Sequence, residues 1–212
     1  MQVKTLSDDI QIYLSDASNI AGGAAEKVFV PETADEIAQI LSDANVAGTP
    51  VTISGARTGT VGGAIPFGGA IISLEKLNKI KSIDKDGLAA IVEPGVILAD
   101  LQAAIDAEGL FYPPDPTEWS CQLGGTVATN ASGARSFKYG ATREFVRQLT
   151  VVLASGEIAD IRRGETVSDP NGEFTVKTRS GREITAKVPT YDRPNVRKNV
   201  SGYYNGQPLD AI

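Results

Sequence analysis

The chain has no histidine among its 212 residues, and only one cysteine, one methionine and one tryptophan. Without histidine, neither a Ser-His-Asp nor a Cys-His catalytic set can be assembled. A zinc site of mixed histidine and cysteine ligands is excluded as well. The lone cysteine, Cys121, rules out an internal disulfide and is compatible with a cytoplasmic setting. Positive charge is in deficit. The formal net charge is −6, which argues against nucleic acid as a partner, because that footprint needs a basic patch. No apolar run approaches the ~18 residues of a membrane-spanning helix. The polar start, Met1 to Ile10, has no apolar signal core, so no secretory signal is expected. Acid pairs such as Asp8-Asp9 and Asp84/Asp86 lie in polar stretches and read as solvated faces, so no metal site is expected.

What the chain does have is glycine in clusters. An apolar strand, Val51 to Ile53, runs into Ser54-Gly55-Ala56-Arg57-Thr58-Gly59-Thr60-Val61-Gly62-Gly63, with four glycines in nine residues. Glycine permits positive φ and close approach to the backbone, and successive N–H groups in such a loop can converge on an anion. A phosphate or pyrophosphate is the guest this favours; a flexible surface loop is the alternative. The run is not a Rossmann fingerprint, since Pro66 and Gly68-Gly69 follow rather than a helix. Nor is it a Walker loop, since no Gly-Lys-Ser/Thr follows.

The periodicity predicts a strand at Val28–Val30, then a helix from Thr33 with Glu36 as capping-box partner and Ile37, Ile40, Leu41 and Ala44 on one face. Gly48 and Pro50 end it. With Val51–Ile53 this makes a β-α-β unit whose strands should be parallel, followed by a strand at Ala70–Leu74. Lys79–Ile83 and Ala89–Glu93 read as two strands about a turn at Asp84–Gly87. Leu98, Leu101, Ala104 and Ile105 mark a second helix, stopped by Gly109. Pro113, Pro114 and Pro116 stiffen an extended segment. A second small-residue stretch, Leu123 to Gly133, would let a flat or bulky ligand lie against the backbone. Within it, Asn130 can bond a ligand or its own loop. Hairpins follow at Thr150–Ala154 with Glu157–Ile161, and at Phe174–Thr178 with Glu183–Val188. From Pro189 onward no period is visible. The expected class is α+β: a small parallel-sheet subdomain to about residue 75, then a larger, mainly antiparallel one over about 76–212. A long ligand with a charged middle would suit a cleft between them.

The ordered set of short stretches resembles the FAD-binding domain of the vanillyl-alcohol oxidase / p-cresol methylhydroxylase-type flavoproteins. Within them it is most similar to the D-lactate dehydrogenase / glycolate oxidase large-subunit branch. The stretches are Ser15-Asp16-Ala17-Ser18, Val30-Pro31 with Glu36, the glycine run, Val92-Glu93-Pro94-Gly95-Val96 and Tyr112-Pro113-Pro114-Asp115-Pro116. They continue with Gly124-Gly125, Ala128-Thr129-Asn130-Ala131 with Gly133, Lys138-Tyr139-Gly140, the hairpin through Gly156, and Lys198-Asn199 with Ser201-Gly202-Tyr203.

The resemblance implies FAD between two α/β subdomains. The backbone of Gly55 to Gly63 would hold the pyrophosphate, with Arg57 either adding charge or serving as a plain surface residue. Pro114-Asp115, Gly124-Gly125 and Thr129-Asn130 would border the flavin. Gly133 and Gly140 would line the dinucleotide, and the Ile158 backbone would meet the adenine. Non-covalent FAD is expected, because the linking histidine of some relatives is absent and Cys121 has no evident activating partner. The family's chains continue into a closing FAD-domain segment and a substrate or cap domain, neither of which is read here, so no catalytic residue is assigned. The expected function is the flavin portion of an enzyme oxidising a 2-hydroxy acid such as D-lactate or glycolate, with substrate bound only alongside a cap domain. The alternative is a non-catalytic FAD-binding or assembly module that pairs through an exposed sheet edge. A sugar or alcohol oxidase of the same superfamily is a third reading.

Overall fold

The computed structural model describes residues 1–189, 191, 195–196 and 208–212. The motif residues Lys198, Asn199, Ser201, Gly202 and Tyr203 lie outside them. The chain divides into two compact units: Met1–Phe145 with Ala154–Gly156, and Val146–Leu153 with Glu157–Ile212.

The first unit begins with strand β1 (Gln2–Lys4), a single helical turn α1 (Ser7–Ile10) and a 3-10 turn at Gln11–Tyr13. These polar, short pieces carry no sequence period, yet Ile10 and Tyr13 are buried. Strand β2 (Lys27–Val30) leads into helix α2 (Ala34–Ala47). Thr33 caps the helix by accepting the Glu36 N–H at 3.1 Å, and the Glu36 carboxylate reaches back to the Glu32 N–H at 2.7 Å. Gly48, at φ +65°, ends the helix in the left-handed conformation that favours glycine.

Strands β3 (Val51–Ser54) and β4 (Ala70–Ser73) complete a sheet of order β1-β2-β4-β3. The strands flanking α2 are parallel, as expected, but β4 lies between them and is parallel to both. This central strand is buried at every residue, which suits its apolar Ala70-Ile71-Ile72. Below the sheet, Ile10, Tyr13, Val28, Val30 and Ile71 form one core.

The hairpin β5 (Ile80–Asp84) and β6 (Ala89–Val92) is antiparallel. Helix α3 (Leu98–Ala107) buries Leu98, Leu101 and Ile105 on one face, at the predicted spacing. They join Val96, Cys121 and Leu123 in a second core. Residues 110–116 run without helix or strand. Two short helices follow, α4 (Leu123–Ala128) and α5 (Ser136–Tyr139). Glycine disfavours a helix, so α4 owes its place to tertiary bonds. The Leu123 N–H donates to the Val96 carbonyl at 2.9 Å and the Gly124 N–H to the Pro94 carbonyl at 2.8 Å.

The second unit contains two antiparallel hairpins, β7 (Gln148–Val152) with β8 (Ile158–Arg162), and β9 (Glu173–Lys177) with β10 (Glu183–Lys187). Ala159, Ile161 and Ile212 form its core, with Val146, Val151 and Val176 against them. The last residues carry no sequence period, but the Ala211 N–H donates to the Thr166 carbonyl at 2.9 Å. That bond seats Ile212 in the apolar cluster. The observed class is mixed α+β, with a small mostly parallel sheet and separate antiparallel pairs.

Candidate functional site

The first glycine cluster leaves β3 at Ser54, which is fully buried. Arg57 sits at φ +59° and Gly62 at φ +76°, and a non-glycine residue held there is strained backbone of the kind that collects at binding sites. The loop is braced from the segment carrying Asp16. The Ala17 N–H donates to the Arg57 carbonyl at 3.0 Å. A Cβ on Gly62 would lie 2.7 Å from Ile20 Cδ1. Burial pushes the Asp16 carboxyl upward, but hydrogen bonds from Ser18 and Ala64 outweigh it and hold its pKa below the ordinary value.

The Arg57 guanidinium turns back toward the root of the loop. It lies 5.0 Å from the centre of the Tyr13 ring, and its Nη1 donates to the Gly55 carbonyl at 3.3 Å. Ala56 and Thr58 are half-buried, and Thr60 is exposed. Gly59 and Gly63 differ from their neighbours in the cluster. A Cβ on either would meet nothing within 4 Å, and neither has a positive φ. No packing among the described residues accounts for glycine at these two positions.

The second cluster lies on and after α4. Gln122 precedes the helix, bridged to Ile97 by backbone pairing. The two adjacent glycines serve different ends. A Cβ on Gly124 would lie 2.7 Å from Pro94 Cβ, so that glycine allows helix and turn to touch. A Cβ on Gly125 would meet nothing within 4 Å. Thr129 donates its hydroxyl to the Gly125 carbonyl at 2.8 Å. Asn130, at φ +46°, accepts the Arg143 N–H on its Oδ1 at 2.9 Å.

Pro114 is buried, and its carbonyl accepts from Gln102 Nε2 at 3.2 Å. Asp115 pairs with Arg135 at 3.4 Å. Gly133 seats this segment: a Cβ there would overlap the Asp115 carbonyl and stand 2.8 Å from Pro116 Cα. Gly140, at φ +95°, closes α5, and a Cβ there would lie 2.8 Å from Glu144 Cγ.

These two clusters are about seventy positions apart in sequence, and the fold joins them at one point. A Cβ on Gly55 would stand 3.1 Å from Gln122 Oε1. Gln122 is only 8% exposed, and its Oε1 is buried with no hydrogen-bond partner among the described residues. Sequence reasoning passed over Gln122, because an amide beside an apolar residue carries no pattern. Its position immediately before Leu123-Gly124-Gly125 was the one available signal. Ile158 belongs to the second unit, where its carbonyl accepts the Arg179 N–H at 2.7 Å.

Cys121 is buried, and that burial, reinforced by Glu118, pushes its thiol pKa above the ordinary value. A thiol so placed is not an activated nucleophile. Tyr112 is pushed up to about 12, by burial first and Cys121 second, so it stays a neutral phenol. The arrangement therefore offers backbone N–H groups, glycines with open space where a Cβ would be, and a buried amide oxygen with no partner among the described residues, which is chemistry for holding a molecule. The residues present fit a flat, elongated, anionic cofactor such as FAD.

Comparison with known proteins gives the same direction. A family profile described as FAD binding domain matches residues 25–162. A D-lactate dehydrogenase of Anaerostipes hadrus is 45% identical over 166 residues, 77% of this chain and 34% of that protein. Glycolate oxidase subunit GlcD of Bacillus subtilis is 34% identical over 209 residues, 94% of this chain and 44% of that one. A D-2-hydroxyglutarate dehydrogenase of Xanthomonas citri pv. viticola is 34% identical over 176 residues, 82% of this chain and 37% of that one. The chain thus spans between about a third and under half of these relatives' lengths. A solved alkyldihydroxyacetonephosphate synthase superposes with TM-score 0.67 over 76% of this chain and 35% of its own, at 19% identity, a likeness of fold alone.

Proposed function

The chain belongs to the FAD binding domain family, and from that premise we propose that it holds FAD non-covalently for an oxidoreductase acting on a 2-hydroxy acid such as D-lactate or glycolate. When bound, FAD supplies a hydride acceptor. This chain's share of the work is to bind and orient it. The observation that carries the reading is the set of glycines with no packing reason to be glycine: Gly59, Gly63 and Gly125.

In this reading the backbone from Ser54 to Gly63 offers its N–H groups to the pyrophosphate. Pro114, Asp115, Gly124, Gly125, Thr129 and Asn130 border the flavin, with Gly133 seating Asp115. Gly140 lines the dinucleotide. Non-covalent attachment agrees with the absence of histidine and the buried, protonated thiol of Cys121. Substrate choice is assigned to a cap domain of the kind the longer relatives have room for. Cytoplasmic placement belongs to the same proposal and rests on a free cysteine kept in the core. No helix of the described residues is long and apolar enough to cross a membrane.

The test is uptake of cofactor. Purified protein titrated with FAD should quench flavin fluorescence and turn yellow. Acid precipitation should leave all the flavin in the supernatant, and flavin retained in the pellet would contradict non-covalent binding. D-lactate or glycolate, added anaerobically to the loaded product of the whole reading frame, should bleach the flavin. Bleaching by an aldose or a primary alcohol alone would overturn the 2-hydroxy-acid assignment.

A second reading, an assembly module, is favoured by one observation. Strand β3 is an edge of the four-stranded sheet, and its Ile53 is 45% exposed. Unpaired edges are templates for strand addition. Light scattering that finds a monomer at high concentration removes this reading.

A further inference from the structure

We propose that Gln122 is a cofactor-contacting residue whose side-chain amide hydrogen-bonds a ribityl hydroxyl of FAD. The inference rests on the reading above and deepens it at one residue. Gln122 is 8% exposed, and its Oε1 is buried without a partner among the described residues. Burial of an amide oxygen is unfavourable unless something bonds it. That oxygen points at the glycine loop, 3.1 Å from where a Gly55 Cβ would stand. The backbone of Gln122 has no freedom to turn away. Its carbonyl accepts the Thr126 N–H at 3.1 Å, and it bridges to Ile97.

Position and chemistry together select the part of FAD involved. Gln122 touches Gly55, at the root of the loop assigned to the pyrophosphate, and in the chain it lies three residues before Gly125, whose open face is assigned to the flavin. The piece of FAD that joins pyrophosphate to ring is the ribityl chain. A pyrophosphate only accepts hydrogen bonds and cannot satisfy an orphaned acceptor. A ribityl hydroxyl donates to Oε1 and can also accept from Nε2. One other buried side-chain oxygen lacks a partner among the described residues, Asp16 Oδ2 on the segment that braces the loop, but Asp16 as a whole is only half-buried.

The experiment replaces Gln122 with methionine, which has nearly the same length and no polar group, and with leucine as a second apolar variant. Each protein is titrated with FAD and with an FAD analogue whose ribityl hydroxyls are replaced by hydrogen. Wild type should prefer FAD to the analogue. Gln122→Met should weaken FAD binding about tenfold while leaving the analogue's affinity nearly unchanged. Cofactor-free Gln122→Met should melt at or above the wild-type temperature, because an unpaired buried amide has been removed.

A variant that keeps the wild-type preference for FAD overturns the inference and leaves the FAD reading intact. So does a cofactor-free variant that melts well below wild type, or failure of both variants to fold, since the amide would then serve structure. If wild type takes up neither flavin, the FAD reading fails and this inference fails with it.

Discussion

Replacing Gly125 with alanine should strengthen the fold and weaken the cofactor site, two effects of opposite sign from a single methyl group. Gly125 lies inside α4, has no positive φ, and a Cβ there would meet nothing within 4 Å. Glycine within a helix costs about 0.5–1 kcal/mol relative to alanine. For a chain of this size that corresponds to a gain of ~1–4 °C in Tm. The methyl would project into the space assigned to the flavin. Overpacking of that kind costs about 1–3 kcal/mol, or roughly 5- to 150-fold in Kd.

The assay pairs thermal melting of the cofactor-free protein with fluorescence titration of FAD. Gly124→Ala is the internal control. Its Cβ would stand 2.7 Å from Pro94 Cβ, so it should lower Tm before any cofactor is added. A Gly125→Ala protein that melts higher and binds FAD as well as wild type would refute the argument that unexplained glycines mark the ligand.

Other consequences are as direct. Gly133→Ala drives a methyl into the Asp115 carbonyl and should destabilise the first unit by on the order of 3 kcal/mol, read as a fall in urea midpoint; a change under a third of that would mean the backbone yields. Tyr13→Phe removes a fully buried hydroxyl that donates to Glu75 at 2.9 Å and accepts from Lys4 at 2.6 Å. A bond to a charged group contributes about 1.5–3 kcal/mol, so the variant should lose about 2 kcal/mol by chemical denaturation, whereas an unchanged midpoint would show the network idle. In the second unit, bonds from Arg179 first and Thr150 next hold the Asp160 carboxyl at about 2. Because this pKa is depressed on folding, its contribution is present above the ordinary carboxylate range and disappears as pH falls through about 2. The pair is largely exposed, so the effect stays under about 1 kcal/mol. The Tm gap between wild type and Asp160→Asn should therefore be open at neutral pH and close toward pH 2, and a constant gap would exclude the linkage.

The sequence by itself determined whatever depends on near neighbours along the chain. The capped helix from Thr33 to Gly48, the apolar stripe of Leu98, Leu101 and Ile105, and the hairpins about Gly87, Gly156 and Gly181 are all local devices, and each is present. The ordered glycine-rich stretches also carried the resemblance to an FAD-binding domain, and the family profile over residues 25–162 agrees with it.

Tertiary structure decided what depends on distant neighbours. It inserted β4 between β2 and β3, and it drew the polar lead-in under the sheet to bury Tyr13. It held a helix at Leu123–Ala128 against glycine's propensity. It also sorted the glycines into those that touch protein, such as Gly124 and Gly133, and those that face open space, such as Gly59 and Gly125. No pattern in the sequence separates these two kinds. The difference lies in which remote atom stands where a Cβ would be, and only the folded chain brings Pro94, Asp115 and Gln122 to those positions.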